Sequence, residues 1–196
     1  MRKLPKVVLV PLVAVVLVVA GLTVWWLNQA VSPRPGVFKG EPSSALYAPI
    51  ATRAADPAPL KLDELFAQPT VDGLTRQATA EFADCGEVLD GVEAPGCTQA
   101  LRAVYGNGSV AGQFVVFNLA DSAAADAFVT ALGQGGFVRQ AATFDAGRSR
   151  AQARALGHFV TVSWVGPAAG DPDLGPAHVA LDGLGKGLQA RVLAAS

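Results

Sequence analysis

The stretch Val7 to Leu27, VVLVPLVAVVLVVAGLTVWWL, runs for 21 residues without a charge. A helix that is apolar all round cannot sit on the surface of a water-soluble domain. At about 1.5 Å rise per residue it would be roughly 30 Å long, the thickness of a bilayer's hydrocarbon core. Pro11 lies near its start, where lost backbone hydrogen bonds cost least. Trp25 and Trp26 lie at its far end, where indole rings favour the lipid–water interface. The run therefore predicts a single transmembrane helix over 7–27, with the lipid bilayer as its partner.

Arg2, Lys3 and Lys6 precede the run. The positive-inside rule places the 1–6 tip in the cytoplasm and everything after Leu27 outside. A tip of this size folds no output domain, which argues against a receptor signalling through its own intracellular part. A cleaved signal peptide is the rival reading. Its apolar core spans about 7–15 residues and ends at small residues in an A-x-A-like site. Here the run is longer, and Asn28-Gln29-Ala30 lacks the first small residue. No cysteine follows closely enough for lipoprotein processing.

Setting aside Arg2, Lys3 and Lys6 leaves twelve basic groups against 16 acidic ones outside. That balance argues against nucleic acid, which needs a basic footprint. The abundance of Ala, Val and Gly, and of Arg over Lys, suggests a bacterial coding bias and hence the bacterial cell envelope.

Residues 28–59 carry six of the 13 prolines and few large apolar side chains. They read as an extended spacer, in which Val37-Phe38 or Leu46-Tyr47 could form a short partner-binding motif. Residues 60–196 suffice for one domain with its own core.

Within that domain, Leu60–Gln68 reads as a short helix stopped by Pro69. Val71, Leu74, Ala78 and Phe82 follow helical spacing into Cys85, and Cys97, Leu101, Val104 and Tyr105 do so again. Asn107-Gly108 marks a turn. Residues 112–119, GQFVVFNL, form a nearly continuous apolar run, expected to be a central strand. Asp121 is placed to cap a helix that buries Ala125, Phe128, Val129 and Leu132 and ends near Gly133. Residues 136–144 read as a strand.

Along 150–166, the phase carrying Arg150, Gln152 and Arg154 turns apolar at Leu156, which predicts a bend or tight turn at Leu156-Gly157. Pro176 opens a last helix with Leu181, Leu184 and Leu188 inward. An eight-residue echo between 112 and 157 suggests two strand-then-helix units. The expected fold class is α+β: a mainly antiparallel sheet covered by helices on one side.

Cys85 and Cys97 are the only cysteines. In an oxidising compartment they predict one disulfide, worth roughly 3 kcal/mol for a loop of this size. Their spacing is not that of a redox Cys-x-x-Cys pair. Between them and just before run the acids Glu81, Asp84, Glu87, Asp90 and Glu93. These do not match a calcium loop and read as a solvated acidic loop.

No metal or cofactor is expected. His158 and His178 sit in no catalytic motif; Gly-x-Ser-x-Gly, His-Glu-x-x-His and the Walker loop are all missing. The glycines of 182–188, DGLGKGL, suggest close packing of the last helix. Arg148, Arg150 and Arg154 are the one basic cluster outside and the candidate site for an anion or an acidic partner.

These features point to a non-catalytic interaction or accessory domain with a protein or envelope-polymer partner. A small-ligand or lipid-binding domain, with a cavity lined by Phe114, Phe117, Phe128, Phe159 and Trp164, is the alternative. An envelope hydrolase is the third reading.

Overall fold

The computed structural model describes residues 33–196. The tip 1–6 and the apolar run 7–27 lie outside the described residues, among which no helix is long and apolar enough to cross a membrane.

The chain order is β1 (Val37–Glu41), α1 (Leu62–Phe66), β2 (Thr70–Val71), β3 (Leu74–Phe82), β4 (Leu89–Asp90), β5 (Gln99–Gly106), β6 (Val110–Asn118), α2 (Ser122–Gln134), β7 (Phe137–Val138), β8 (Arg150–Leu156), β9 (Phe159–Pro167), α3 (Gly175–Asp182) and α4 (Gln189–Ala195). Seven strands form one sheet in the order β1-β8-β9-β6-β5-β3-β2, and β4 pairs with β7 apart from it. Only β1 runs parallel to its neighbour, β8. All other pairings are antiparallel. The class is mixed α+β, as expected.

The sheet is covered on both faces, not on one. On the first face, Ala125, Phe128, Val129 and Leu132 of α2 meet Val115, Phe117, Val160, Val162 and Trp164. On the second, Leu65, Phe66, Leu181, Leu188 and Val192 meet Phe114, Val116, Phe159 and Val165. Every residue of β6 and of β9 is buried. This is why GQFVVFNL shows no alternation, and why residues 157–164 echo it: the two strands are central neighbours under the same demand for burial. The helices that follow them lie on opposite faces.

Two expected helices are strands. Residues 74–82 form β3 and 99–106 form β5. In β5, Leu101 and Tyr105 face one layer while Ala100 and Val104 face the other. A strand buried on both sides has no polar phase, so a helical spacing can be picked out of it by chance. In β3 the register shifts between Arg76 and Ala78. That bulge puts Leu74 and Phe82 on opposite layers although they lie eight residues apart, and eight also fits a helix. The strand expected over 136–144 shrinks to Phe137–Val138, with Ala142 and Phe144 buried in the loop beyond.

The expected spacer is folded as well. From Arg34 onward the segment belongs to the same compact unit as the rest. Arg34 donates to the Leu132 and Gly136 carbonyls at 3.0 and 3.2 Å, at the end of α2. Val37–Glu41 is a sheet strand, and Ile50 and Leu60 are core residues. The prolines shape an irregular strap that winds over the domain.

Three expectations hold closely. Asp121 caps α2 through the Ala124 amide at 2.8 Å. Pro176 stands in the first turn of α3. The β8–β9 turn falls at Gly157, with φ of 67°, where an added Cβ would run into the Ile50 carbonyl.

Candidate functional site

The site grows out of the second face of β8, which carries Arg150, Gln152, Arg154 and Leu156. Its polar stretch is covered by α3, whose His178 and Asp182 are one turn apart and point the same way. Arg154 Nε donates to both carboxylate oxygens of Asp182 at 3.1 Å, and Nη2 lies 3.0 Å from Oδ2. Its Nη1 donates to Glu41 of β1. Lys39 reaches Glu41 from the other side at 2.6 Å. The parallel pairing of β1 with β8 sets Glu41 beside Arg154. Lys39's hydrogen bond, with Arg154 beside it, holds the Glu41 carboxyl below the usual range against the opposing effect of burial. Burial acts to lower the Arg154 pKa, but Asp182 and Glu41 outweigh it and the net direction is upward.

This ion triad lines a cleft of about 350 Å³. Leu156 and Thr161 line it from the sheet, and Ser44 and Tyr47 from the strap. Val179, Lys186 and Gln189 line it from α3 onward. The short 3-10 segment Gly183–Leu188 places Lys186 there. Gly187 lets that segment close on Leu65, since an added Cβ would approach its Cδ2 to 2.9 Å, whereas Gly183 faces open space. So only one of the two expected small-residue contacts is a packing contact.

Of the three arginines expected as an anion site, only Arg154 is in the cleft. Arg148 precedes β8 and is engaged by Asp145 (3.1 Å), Asp171 (3.5 Å) and the Gly170 carbonyl (2.7 Å). Arg150 is exposed and makes no ion pair among the described residues. The three do not converge on one point, and two of them already have carboxylate partners.

Ser163, His178 and Asp182 do come together beneath α3. Ser163 Oγ lies 3.4 Å from His178 Nε2 and 3.4 Å from Asp182 Oδ1. A proton relay runs carboxylate to imidazole to hydroxyl. Here the hydroxyl sits between the other two, Asp182 is held by Arg154, and Ser163 is 1% exposed. The arrangement ties α3 to β9 and presents no nucleophile. Burial foremost lowers the His178 pKa, with Arg150 and Arg154 adding to this and Asp182 opposing it.

His158 is wholly buried in the β8–β9 turn. Its Nδ1 lies 2.8 Å from the Ile50 carbonyl, which also accepts from the His158 backbone N–H. The proton therefore sits on Nδ1, and Nε2 faces no partner. Burial lowers its pKa.

Cys85 and Cys97 form the disulfide. It links the turn after β3 to the approach of β5, so it joins neighbouring strands and not two helices. It lies at the same end of the sheet as Glu41 and Leu156; the β5–β6 turn Asn107–Ser109 lies at the other. Within the acidic run, Glu81 accepts from Gln99 at 2.6 Å and Asp84 accepts from the Gly86 amide at 2.8 Å. Among the described residues no group of three or more His, Cys, Asp or Glu could hold a metal ion. The aromatic residues Phe114, Phe117, Phe128, Phe159 and Trp164 fill the two core layers.

Sequence reading passed over Glu41 and took Asp182 and Lys186 only as part of a close-packing stretch, 182–188. The only trace of the first was the charge alternation Lys39-Glu41 in a segment taken for a spacer. It also missed Arg191, which donates to Glu64, Asp56 and the Ala58 and Pro59 carbonyls and stands over the Phe159 ring. No family model, no curated protein and no solved structure matches the chain.

Proposed function

We propose that this is a single-pass, membrane-anchored protein whose domain lies outside the cytoplasm. It works there as a non-catalytic interaction or accessory module of the bacterial cell envelope, and the Glu41–Arg154–Asp182 cleft is its recognition surface. The uncharged run Val7 to Leu27 supports the anchor, and the Cys85–Cys97 disulfide agrees with an oxidising compartment.

One observation carries the choice of surface. Tyr47 and Arg154, drawn from two sequence segments already suspected of binding, line the same cleft. There the charges are held in place by one another, so the cleft is preorganised. A protein or an envelope polymer is the expected partner.

A photo-crosslinking residue at Tyr47 of the full chain, in its own membrane, tests this. It should capture a reproducible partner that the same probe at Asn107, at the far end of the sheet, does not. Equal capture from both positions, or none from Tyr47, overturns the assignment.

A further inference from the structure

We infer that the cleft binds a neutral sugar unit of an envelope polymer or of a free saccharide; this rests on the binding role just proposed and names its ligand class. Charge is the first argument. Glu41 and Asp182 are balanced by Arg154 and Lys186 along the lining, and Lys39, which is not among the lining residues, is spent on Glu41. A free anion would meet two carboxylates, and a cation would meet two basic groups. A neutral ligand meets neither penalty.

Hydrogen bonding is the second. Ser44, Tyr47, Gln189 and Lys186 all line the cleft, and their side chains end in two hydroxyls, an amide and an ammonium. None of the four side chains has a hydrogen bond or ion pair among the described residues. They offer donors and acceptors together, which suits hydroxyl groups, themselves both donor and acceptor. Arg154 and its two carboxylates are planar and held in fixed orientation, with N–H groups and lone pairs to spare. Such flat two-pronged groups match the adjacent hydroxyls of a sugar ring.

Shape is the third. Tyr47, Leu156 and Val179 add apolar surface to the lining of the same cleft, and Val179 is 73% exposed. A sugar ring has a C–H face and a hydroxyl edge, and the lining holds residues suited to each. Its 350 Å³ lies at the small end of the range of ligand sites, about 300–1,000 Å³. That limits the bound part to a short unit.

The test uses the full chain in a detergent without a sugar headgroup and reads saturation-transfer NMR. The probes are glucose, galactose, mannose and N-acetylglucosamine, with inorganic phosphate and glycine as charged comparisons. At least one sugar should bind saturably, with Kd of the order of 1 mM. Tyr47→Ala and Gln189→Ala should each weaken it about tenfold, with far-UV circular dichroism unchanged. Ser109→Ala, in the β5–β6 turn, should leave it as it was.

Absence of saturable binding by all four sugars overturns the inference. So does binding that survives both cleft substitutions, or phosphate or glycine binding tighter than any sugar. If no sugar binds while Tyr47 still crosslinks a protein partner, this inference falls and the proposed role stands. If sugar binds but alkaline carbonate strips the chain from membranes, the anchor falls and the sugar site stands.

Discussion

At the scale of single residues, buried charge decides more than any motif. The Arg191 and Asp56 side chains are only 11% and 12% exposed, and Arg191 ties α4 to α1 and to the strap at once. Removing one partner of a buried ion network leaves the others unpaired. Arg191→Ala should cost about 3 kcal/mol of unfolding free energy by urea titration, whereas Arg150→Ala should stay within about 0.5 kcal/mol.

The histidines set a pH dependence. His158 and His178 both have pKa values lowered from the ordinary 6.5, mainly by burial. The unfolded chain takes up these protons near 6.5 while the folded chain holds them off to lower pH. Their contribution is therefore fully present above 6.5 and is lost as pH falls through the folded values. The urea midpoint should drop between pH 7.5 and pH 5, and His158→Gln should flatten that drop. A midpoint that rises on acidification would contradict this reading.

At the scale of elements, the strap is the clearest departure from expectation. A spacer is dispensable, but Ile50, Leu60 and β1 supply core and sheet to the domain. A chain lacking residues 33–60 should lose near-UV circular dichroism and resist trypsin poorly, whereas a true spacer deletion would change neither. The disulfide acts locally: Cys85→Ser with Cys97→Ser should cost about 3 kcal/mol, read as a shift in the urea midpoint, and leave the sheet intact.

The elements that could be read from sequence carried a strong local signal. These were α2, with its Asp121 cap and one-sided apolar stripe, the Gly157 turn, and β6, which is buried on both faces but is an unbroken run of strand-forming residues. Those misread were β3 and β5. Their residues are spaced as helices are, because a bulge in one and burial on both faces in the other erased the period of two. In the strap, composition misled for another reason. Proline and sparse hydrophobics describe how a segment behaves alone, and they do not say whether a neighbouring sheet edge is open to receive it.

At the scale of the whole molecule, the testable claim is the division between anchor and domain. The full chain should stay with membranes after an alkaline carbonate wash, and a membrane-impermeant amine reagent added outside should label the exposed Lys39, Lys61 and Lys186 of the domain. Release by carbonate, or protection of these lysines from the reagent in sealed cells, would remove the envelope assignment.

Some properties belong to the sequence by itself because they depend only on what is covalently adjacent. The 21-residue apolar run, the pair of cysteines, the cap at Asp121 and the turn at Gly157 are of this kind. The cleft is of the other kind. Its charged triad comes from positions 41, 154 and 182, and its rim from 44, 47, 186 and 189. Only the parallel seating of β1 beside β8, and the laying of α3 across the second face, bring those residues within reach. An ion pair between residues more than a hundred positions apart leaves no local pattern, because its energy exists only after the sheet has closed.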